Sequence, residues 1–132
     1  MCIWQIFKKK NKSKELSYSE FESWLDKALD VDISDDVVAF CFNLYEDSDF
    51  NWTMELIGTN SFDTANNDWA CDEVFTTREN PLIRRQESEW PIILDLSQRF
   101  IKQYIEQGKN KQTLKGRKGL AVGFVEGDLV LL

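Results

Sequence analysis

Residues 63–73 contain four carboxylates, the indole ring of Trp69 and the thiol of Cys71. If the hexapeptide Asp68–Glu73 is a strand, Asp68 and Asp72 point to the same side of it. Two carboxylates can do acid–base work, but nothing in this stretch fixes their partner or a substrate pocket. The second chemistry is recognition, in which the carboxylates pair with Arg or Lys of a basic protein and Trp69 is an energetic anchor. The third interpretation is structural, with acids on an edge strand beside a core tryptophan and a core cysteine.

The chain contains no histidine in its 132 residues. This excludes Ser-His-Asp and Cys-His catalysis, and zinc held by imidazole. Cys71 is a poor candidate for a nucleophile, because the chain has no histidine to act as its base. The oxygen spacing in residues 63–68 does not fit an EF-hand loop, since Ala65 occupies a ligand position. No glycine-rich phosphate loop is present. We therefore predict no catalytic residue, no metal site and no cofactor.

Charge is divided unevenly along the chain, whose formal net charge is −7. Residues 15–77 carry sixteen acids and one base, whereas residues 108–118 carry five bases and no acid. Such an acidic block attracts basic proteins and repels nucleic acid, although acids also serve solubility alone. The block predicts a surface for a basic protein partner, with no nucleic acid bound. We expect this surface to contain seven residues: Glu46, Asp47, Asp49, Asp63, Asp68, Trp69 and Asp72. Four of them are expected to share one exposed face: Asp47, Asp49, Asp68 and Asp72.

The first seven residues are apolar, and residues 8–14 are basic, with five lysines. A secretory signal has the opposite order, and no apolar run approaches the roughly 18–20 residues that a membrane span needs. Residues 1–15 are therefore either an amphipathic anchor on an anionic membrane or a short element packed on the domain and followed by a basic hinge. Three cysteines without CxxC spacing are typical of reduced, mostly buried thiols. We predict a cytoplasmic protein with no membrane span, consisting of a tail (1–15) and one α+β domain (16–132).

Two helices and several strands should build this domain. Ser17 and Glu20 form a capping box that begins a helix ending near Asp30, and a second apolar helical period runs from Trp90 to Gly108. Alternating and β-branched residues predict four or five antiparallel strands with the two main helices packed on them. The strands are expected at 37–45, 52–59 (with Glu55 on a wet face), 69–77, 120–125 and 128–132, and a basic loop at 109–118.

The acidic, aromatic hairpin Asn43–Asp47 and Trp52–Thr59, followed by Phe62-Asp63 and Asp68–Glu73, resembles small immunity proteins of bacterial polymorphic-toxin and contact-dependent systems. The likeness covers about residues 37–76. It implies a cytoplasmic protein that binds and blocks a toxin domain, often a nuclease with a basic cleft, and that has no catalytic residue. Two alternatives stay open: a non-enzymatic adaptor with a different partner, and a small carboxylate-based ligand- or metal-binding protein.

Overall fold

The first helix, α1, spans Tyr18–Leu29. Ser17 caps it, because its hydroxyl accepts a hydrogen bond from the backbone N–H of Glu20 at 3.3 Å. The second helix, α2, spans Trp90–Gln107 and carries its proline in the first turn, where no backbone N–H is required. Both predicted helices are confirmed. The computed structural model describes residues 16–132, so the two interpretations of residues 1–15 concern a segment outside the described residues.

Six strands form one mixed sheet on which the helices pack. Their order across the sheet is β3-β2-β1-β5-β6, and β4 pairs with the first half of β2 on the same side as β3. The predicted α+β class is confirmed, and so is the antiparallel β1–β2 hairpin. The strands are β1 Ala39–Glu46, β2 Asn51–Thr59, β3 Glu73–Thr76, β4 Leu82–Arg85, β5 Gly119–Phe124 and β6 Val130–Leu131.

The prediction of a wholly antiparallel sheet is wrong at one pair of strands. β5 lies parallel to β1, with Ala39 opposite Gly119 and Leu44 opposite Phe124. Parallel neighbours need a long crossover connection between them. Helix α2 lies in that connection, so the chain enters β5 at the same end of the sheet at which it entered β1. The C-terminal hairpin of β5 and β6 remains antiparallel, as predicted.

The predicted strand at 69–77 is also wrong in its first half. Residues Asn67–Cys71 form a 3-10 helix, and only Glu73–Thr76 are extended. The side chain of Asn66 accepts a hydrogen bond from the N–H of Asp68 at 2.9 Å, which caps this helix. A cap of this kind competes with strand pairing because it offers the backbone a local partner.

Two further elements were not expected. Strand β4 lies at the edge of the sheet, where its two arginines hide the alternating pattern of a strand. Residues Lys111–Lys115, within the predicted basic loop, form a short helix, α3, that buries Leu114.

The sheet buries both of its faces, but with different material. The helices cover a large aromatic and aliphatic core, whose fully buried members include Phe21, Phe40, Phe42, Leu56, Ile101 and Tyr104. The opposite face holds a smaller cluster around Ala39, Cys41, Ile57, Trp69 and Ala121. The 3-10 helix closes this second face, since the ring of Trp69 lies 5.0 Å from that of Phe62, and Phe62 sits on Gly119.

Candidate protein-binding groove

A groove of about 640 Å³ opens where β1 and β5 end, beside the first turns of α2. Leu44 and Phe124 are partners in the parallel pair, so the turns that follow the two strands emerge side by side. Apolar side chains from β1, α2, β5, β6 and the β5–β6 turn form what we call the apolar floor: Leu44, Trp90, Leu94, Phe124, Val125 and Val130. Surface concavities with an apolar lining are common places for binding sites.

Four carboxylates form the acidic rim of the groove. Glu46 ends β1 and Asp47 follows it, while Glu126 and Asp128 belong to the β5–β6 turn, and all four are exposed. The carboxylate of Asp47 accepts a hydrogen bond from the hydroxyl of Thr53 at 2.7 Å. Among the described residues, no lysine or arginine lines the groove. The rim therefore carries uncompensated negative charge above an apolar floor, which favours a positively charged, partly apolar occupant.

Trp90 is the largest exposed side chain of the apolar floor. It is the first residue of α2 and is 52% exposed. Its ring stands edge-on to that of Phe124, which in turn packs against Trp52. The indole N–H of Trp52 donates to the carbonyl of Gln86 at 2.9 Å, which fixes the base of this aromatic stack. Trp90 is thus held in place on one side and open to solvent on the other, as in a binding hot spot.

The seven predicted binding residues fall into two groups, at different ends of β2. Glu46 and Asp47 line the groove, and Asp49 lies in the same turn, where it pairs with Arg85 at 3.4 Å. The other group is Asp63, Asp68, Trp69 and Asp72, in the segment that follows β2.

The length of β2 separates the two groups. β2 has nine residues, so at the usual rise per residue its ends lie about 26 Å apart. The backbone N–H of Asn60, just past the far end, donates to the carbonyl of Asp72 at 3.2 Å. All six acids are exposed, but Asp47 and Asp49 lie a strand length away from Asp68 and Asp72, so the shared face stays a prediction.

Trp69 does not lie at the surface either. It is 3% exposed, beneath the 3-10 helix, so it belongs to the core. Among the thiols, Cys41 is buried, whereas Cys71 is exposed, which corrects the expectation of mostly buried thiols at that position. Cys2 lies outside the described residues.

Sequence reasoning missed three of the groove residues. Trp90 fits the apolar period of α2, and that period does not indicate that its side chain is half-exposed. Glu126 and Asp128 stand in a short turn with no special signal of their own. Only the parallel pairing of β5 with β1 brings this turn next to Glu46 and Asp47. One signal for Trp90 was available. Pro91 places it at the start of a helix, where a side chain is seldom fully covered.

A buried carboxylate lies on the face of the sheet opposite α1 and α2. Glu55 is 3% exposed, so the prediction that it faces water is wrong. Its Oε1 accepts hydrogen bonds from the Tyr45 hydroxyl at 2.6 Å, the Asn43 amide at 3.4 Å and the Arg78 guanidinium at 3.3 Å. Arg78 also pairs with Glu73 at 2.8 Å. Buried charge is tolerated here because Glu55 is both paired and hydrogen-bonded.

The surroundings of Glu55 raise the pKa of two neighbouring side chains. Burial, together with the hydrogen bond to Glu55, raises the pKa of Tyr45 to about 12. Burial, and then the charge of Glu55, raises the pKa of Cys41 to about 12. Both groups are neutral at physiological pH, so the thiol of Cys41 is not poised as a nucleophile. The cluster links β1, β2 and the residues after β3, and its chemistry is structural.

In residues 16–132, no three Cys, Asp or Glu side chains come together in a way that could hold a metal ion. None of the helices there combines the length and the apolar character that a membrane crossing requires.

Comparison of the chain with protein-family models, with curated proteins and with solved structures gives no significant match. Function is therefore inferred from the residues of this chain, foremost those of the groove.

Proposed function

We propose that the protein is a non-enzymatic, cytoplasmic inhibitor of the immunity type, which binds a basic toxin domain through the groove. The observation that carries this proposal is the acidic rim around a half-exposed Trp90 on an apolar floor. Charged rims and buried aromatic anchors divide the work in protein interfaces. The charges steer the encounter and select the partner, and the aromatic side chain supplies most of the binding free energy.

The proposed target class follows from charge. An enzyme that cleaves nucleic acid lines its cleft with Arg and Lys, because it must hold phosphates. The carboxylates of Glu46, Asp47, Glu126 and Asp128 offer such a cleft the same kind of partner as a phosphate chain. Occupation of the cleft by this rim would exclude the nucleic acid without any chemical step.

The likeness to immunity proteins supports inhibition in preference to a simple adaptor role. It lies in residues 37–76, and the end of β1 and the turn after it contribute Glu46 and Asp47 to the groove. The second acidic group, in residues 63–72, is the natural rival surface, and the experiment must separate the two.

The test uses the tagged full-length chain to capture partners from its native cell at low and high salt, with mass spectrometry of what stays bound. Three forms are compared: the unaltered chain, a groove variant with Glu46→Gln, Asp47→Asn, Glu126→Gln and Asp128→Asn, and a far-end variant with Asp63→Asn, Asp68→Asn and Asp72→Asn. A captured basic protein is then expressed with and without the chain, and cell growth and its activity are measured.

We expect the unaltered chain and the far-end variant to capture a basic protein that the groove variant does not capture. Binding of this protein should be weaker at high salt. We also expect that the unaltered chain protects growth and suppresses the activity of this protein. Loss with the far-end variant instead would assign the interface to residues 63–72. Binding without any effect on growth or activity would make the protein an adaptor, and inhibition would be rejected.

A further inference from the structure

The first fourteen residues of the chain have the composition that the groove selects. Residues 1–7 include Ile3, Trp4, Ile6 and Phe7, and residues 8–14 add five lysines without an acid. The apolar side chains match the apolar floor, where they would be buried. The ammonium groups of the lysines match the carboxylates of the acidic rim. The chain thus carries, attached to itself, a ligand of the class that the groove favours.

The described part of the chain begins beside the groove. Leu16 packs against the helix-side core and lines a small cavity together with Leu44 and Tyr45. Both of those residues also line the groove. Ser17 then fixes the direction of the chain by capping α1, and the next turn is anchored by the ion pair between Glu20 and Arg84. The attachment point is therefore a neighbour of the groove rather than a distant part of the domain.

Reach and local concentration both favour binding within one molecule. Fourteen residues can span up to about 46 Å, and Leu44 and Tyr45 already connect Leu16 to the groove. A segment tied this closely experiences an effective concentration on the order of millimolar. Contacts too weak for a separate peptide therefore suffice in cis.

We propose that residues 1–14 bind in the groove of the same molecule, with lysines at the rim carboxylates and apolar side chains on the floor near Trp90. The rival acidic group at residues 63–72 offers no equivalent, since its own tryptophan is buried. If the groove is also the inhibitory surface, which rests on the proposed function, a basic partner must displace this segment before it binds. The N-terminal segment then acts as an internal competitor that screens out weakly binding proteins.

The test is paramagnetic relaxation enhancement in the full-length protein. A nitroxide is attached to Cys2 in a Cys71→Ser background, because Cys71 is exposed and would also react, while Cys41 is buried. Amide signals of Glu126 and Asp128 and the indole signal of Trp90 are compared before and after reduction of the nitroxide. The charge-reversal variant Lys8→Glu, Lys9→Glu, Lys10→Glu is measured in the same way. A matched control makes the same change in charge elsewhere: Lys109→Glu, Lys115→Glu and Lys118→Glu.

Binding in cis predicts loss of signal at Trp90, Glu126 and Asp128 in the unaltered chain and in the matched control. The signal should return in the charge-reversal variant and also at 1 M salt, where charges are screened within about 3 Å. Uniform or absent broadening would overturn the proposal, and so would broadening centred on residues 63–72.

A mixture of spin-labelled chain and isotope-labelled chain without a nitroxide separates cis from trans. Broadening at the groove in this mixture would mean that the segment of a second copy binds there, which contradicts binding in cis. The outcome is independent of the proposed function, because no partner is present in the sample. Conversely, partner capture that depends on the groove stands even if residues 1–14 bind nowhere.

Discussion

Trp90 stands edge-on to Phe124, with ring centroids 6.0 Å apart and ring planes at 81°. The contact joins the first residue of α2 to the last residue of β5, so one aromatic pair connects these two elements within the apolar floor. Edge-to-face packing fixes the indole without covering it, since half of its surface stays exposed. A partner of the proposed kind would therefore meet an aromatic side chain whose rotamer is already set, so that less conformational entropy is lost on binding.

Trp90→Ala should weaken binding of the partner by about 2 kcal/mol, or about 30-fold in Kd. Stability should change little, because the side chain is half-exposed. Titration calorimetry with the captured partner and urea unfolding measure the two effects. Ile92→Ala is the control, since Ile92 is 54% exposed on the same helix and does not line the groove. Equal losses of affinity from the two variants would contradict the role of Trp90.

Glu55→Ala should lower the free energy of unfolding by about 2 kcal/mol. The substitution leaves the hydroxyl of Tyr45 and the amide of Asn43 without their acceptor, and it removes one of two carboxylates from Arg78. Urea unfolding provides the measurement. Glu73→Ala is the matched control, because Glu73 pairs with the same arginine but is partly exposed, and its loss should cost only about 0.5 kcal/mol. A smaller effect at Glu55 than at Glu73 would show that the buried cluster does not hold the strands together.

Stability should fall as pH rises above 10. Burial and a hydrogen bond to a carboxylate raise the pKa of Tyr18 and of Tyr45 to about 12, and the pKa of Tyr104 is raised by burial and by Asp26. In the unfolded chain these phenols titrate near 10. The folded state therefore binds their protons more tightly, so their contribution is complete below pH 10 and is lost as pH rises towards and beyond 12.

Ultraviolet titration of the phenols, in native protein and in urea, checks this pH dependence. No tyrosine should ionise near pH 10 in the native protein, whereas all three should do so in urea. Urea midpoints at pH 8, 10 and 11 should decline in that order. The Tyr45→Phe variant should show a shallower decline, and a native phenol titrating near 10 would contradict the expectation for that residue.

Gly119→Ala should destabilise the fold by about 2 kcal/mol. A methyl group at this position would overlap the ring of Phe62, which lies directly on the glycine. Phe62 would have to move, and with it the ring of Trp69 that packs on it. Gly127→Ala is the control, because the nearest atom to its methyl group would be an ordinary 3.7 Å away. Urea unfolding that ranks the two variants in the opposite order would rule out this steric account.

The parts of the fold that the sequence predicts correctly rest on local signals. Ser17 marks the start of α1 through its own hydrogen bond, and the alternation in residues 39–46 and 51–59 is the period of the strands themselves. The strand prediction failed at residues 69–71, in the 3-10 helix, where a side-chain cap and the burial of Trp69 outweigh β-propensity. Glu55 was misplaced for a similar reason, since its burial depends on Arg78, 23 residues further along the chain.

The groove could be predicted only in part. Glu46 and Asp47 could be predicted because a high density of acidic residues can be read directly from the sequence. Trp90 and Asp128 join them through the parallel pairing of β1 and β5, which depends on how α2 crosses the sheet. Nothing in the local sequence fixes that crossing. For the same reason the acids of residues 63–72, close to Glu46 and Asp47 along the chain, lie at the other end of β2.

The parallel pair of β1 and β5 has a consequence for how this protein could diversify. Because of it, the turn at residues 47–50 and the turn at residues 125–129 lie at the same end of the sheet. Surface turns tolerate exchange and insertion far better than the strands that carry them. Related chains could therefore acquire new targets by replacing two short loops together, while the buried strands and their register stay unchanged.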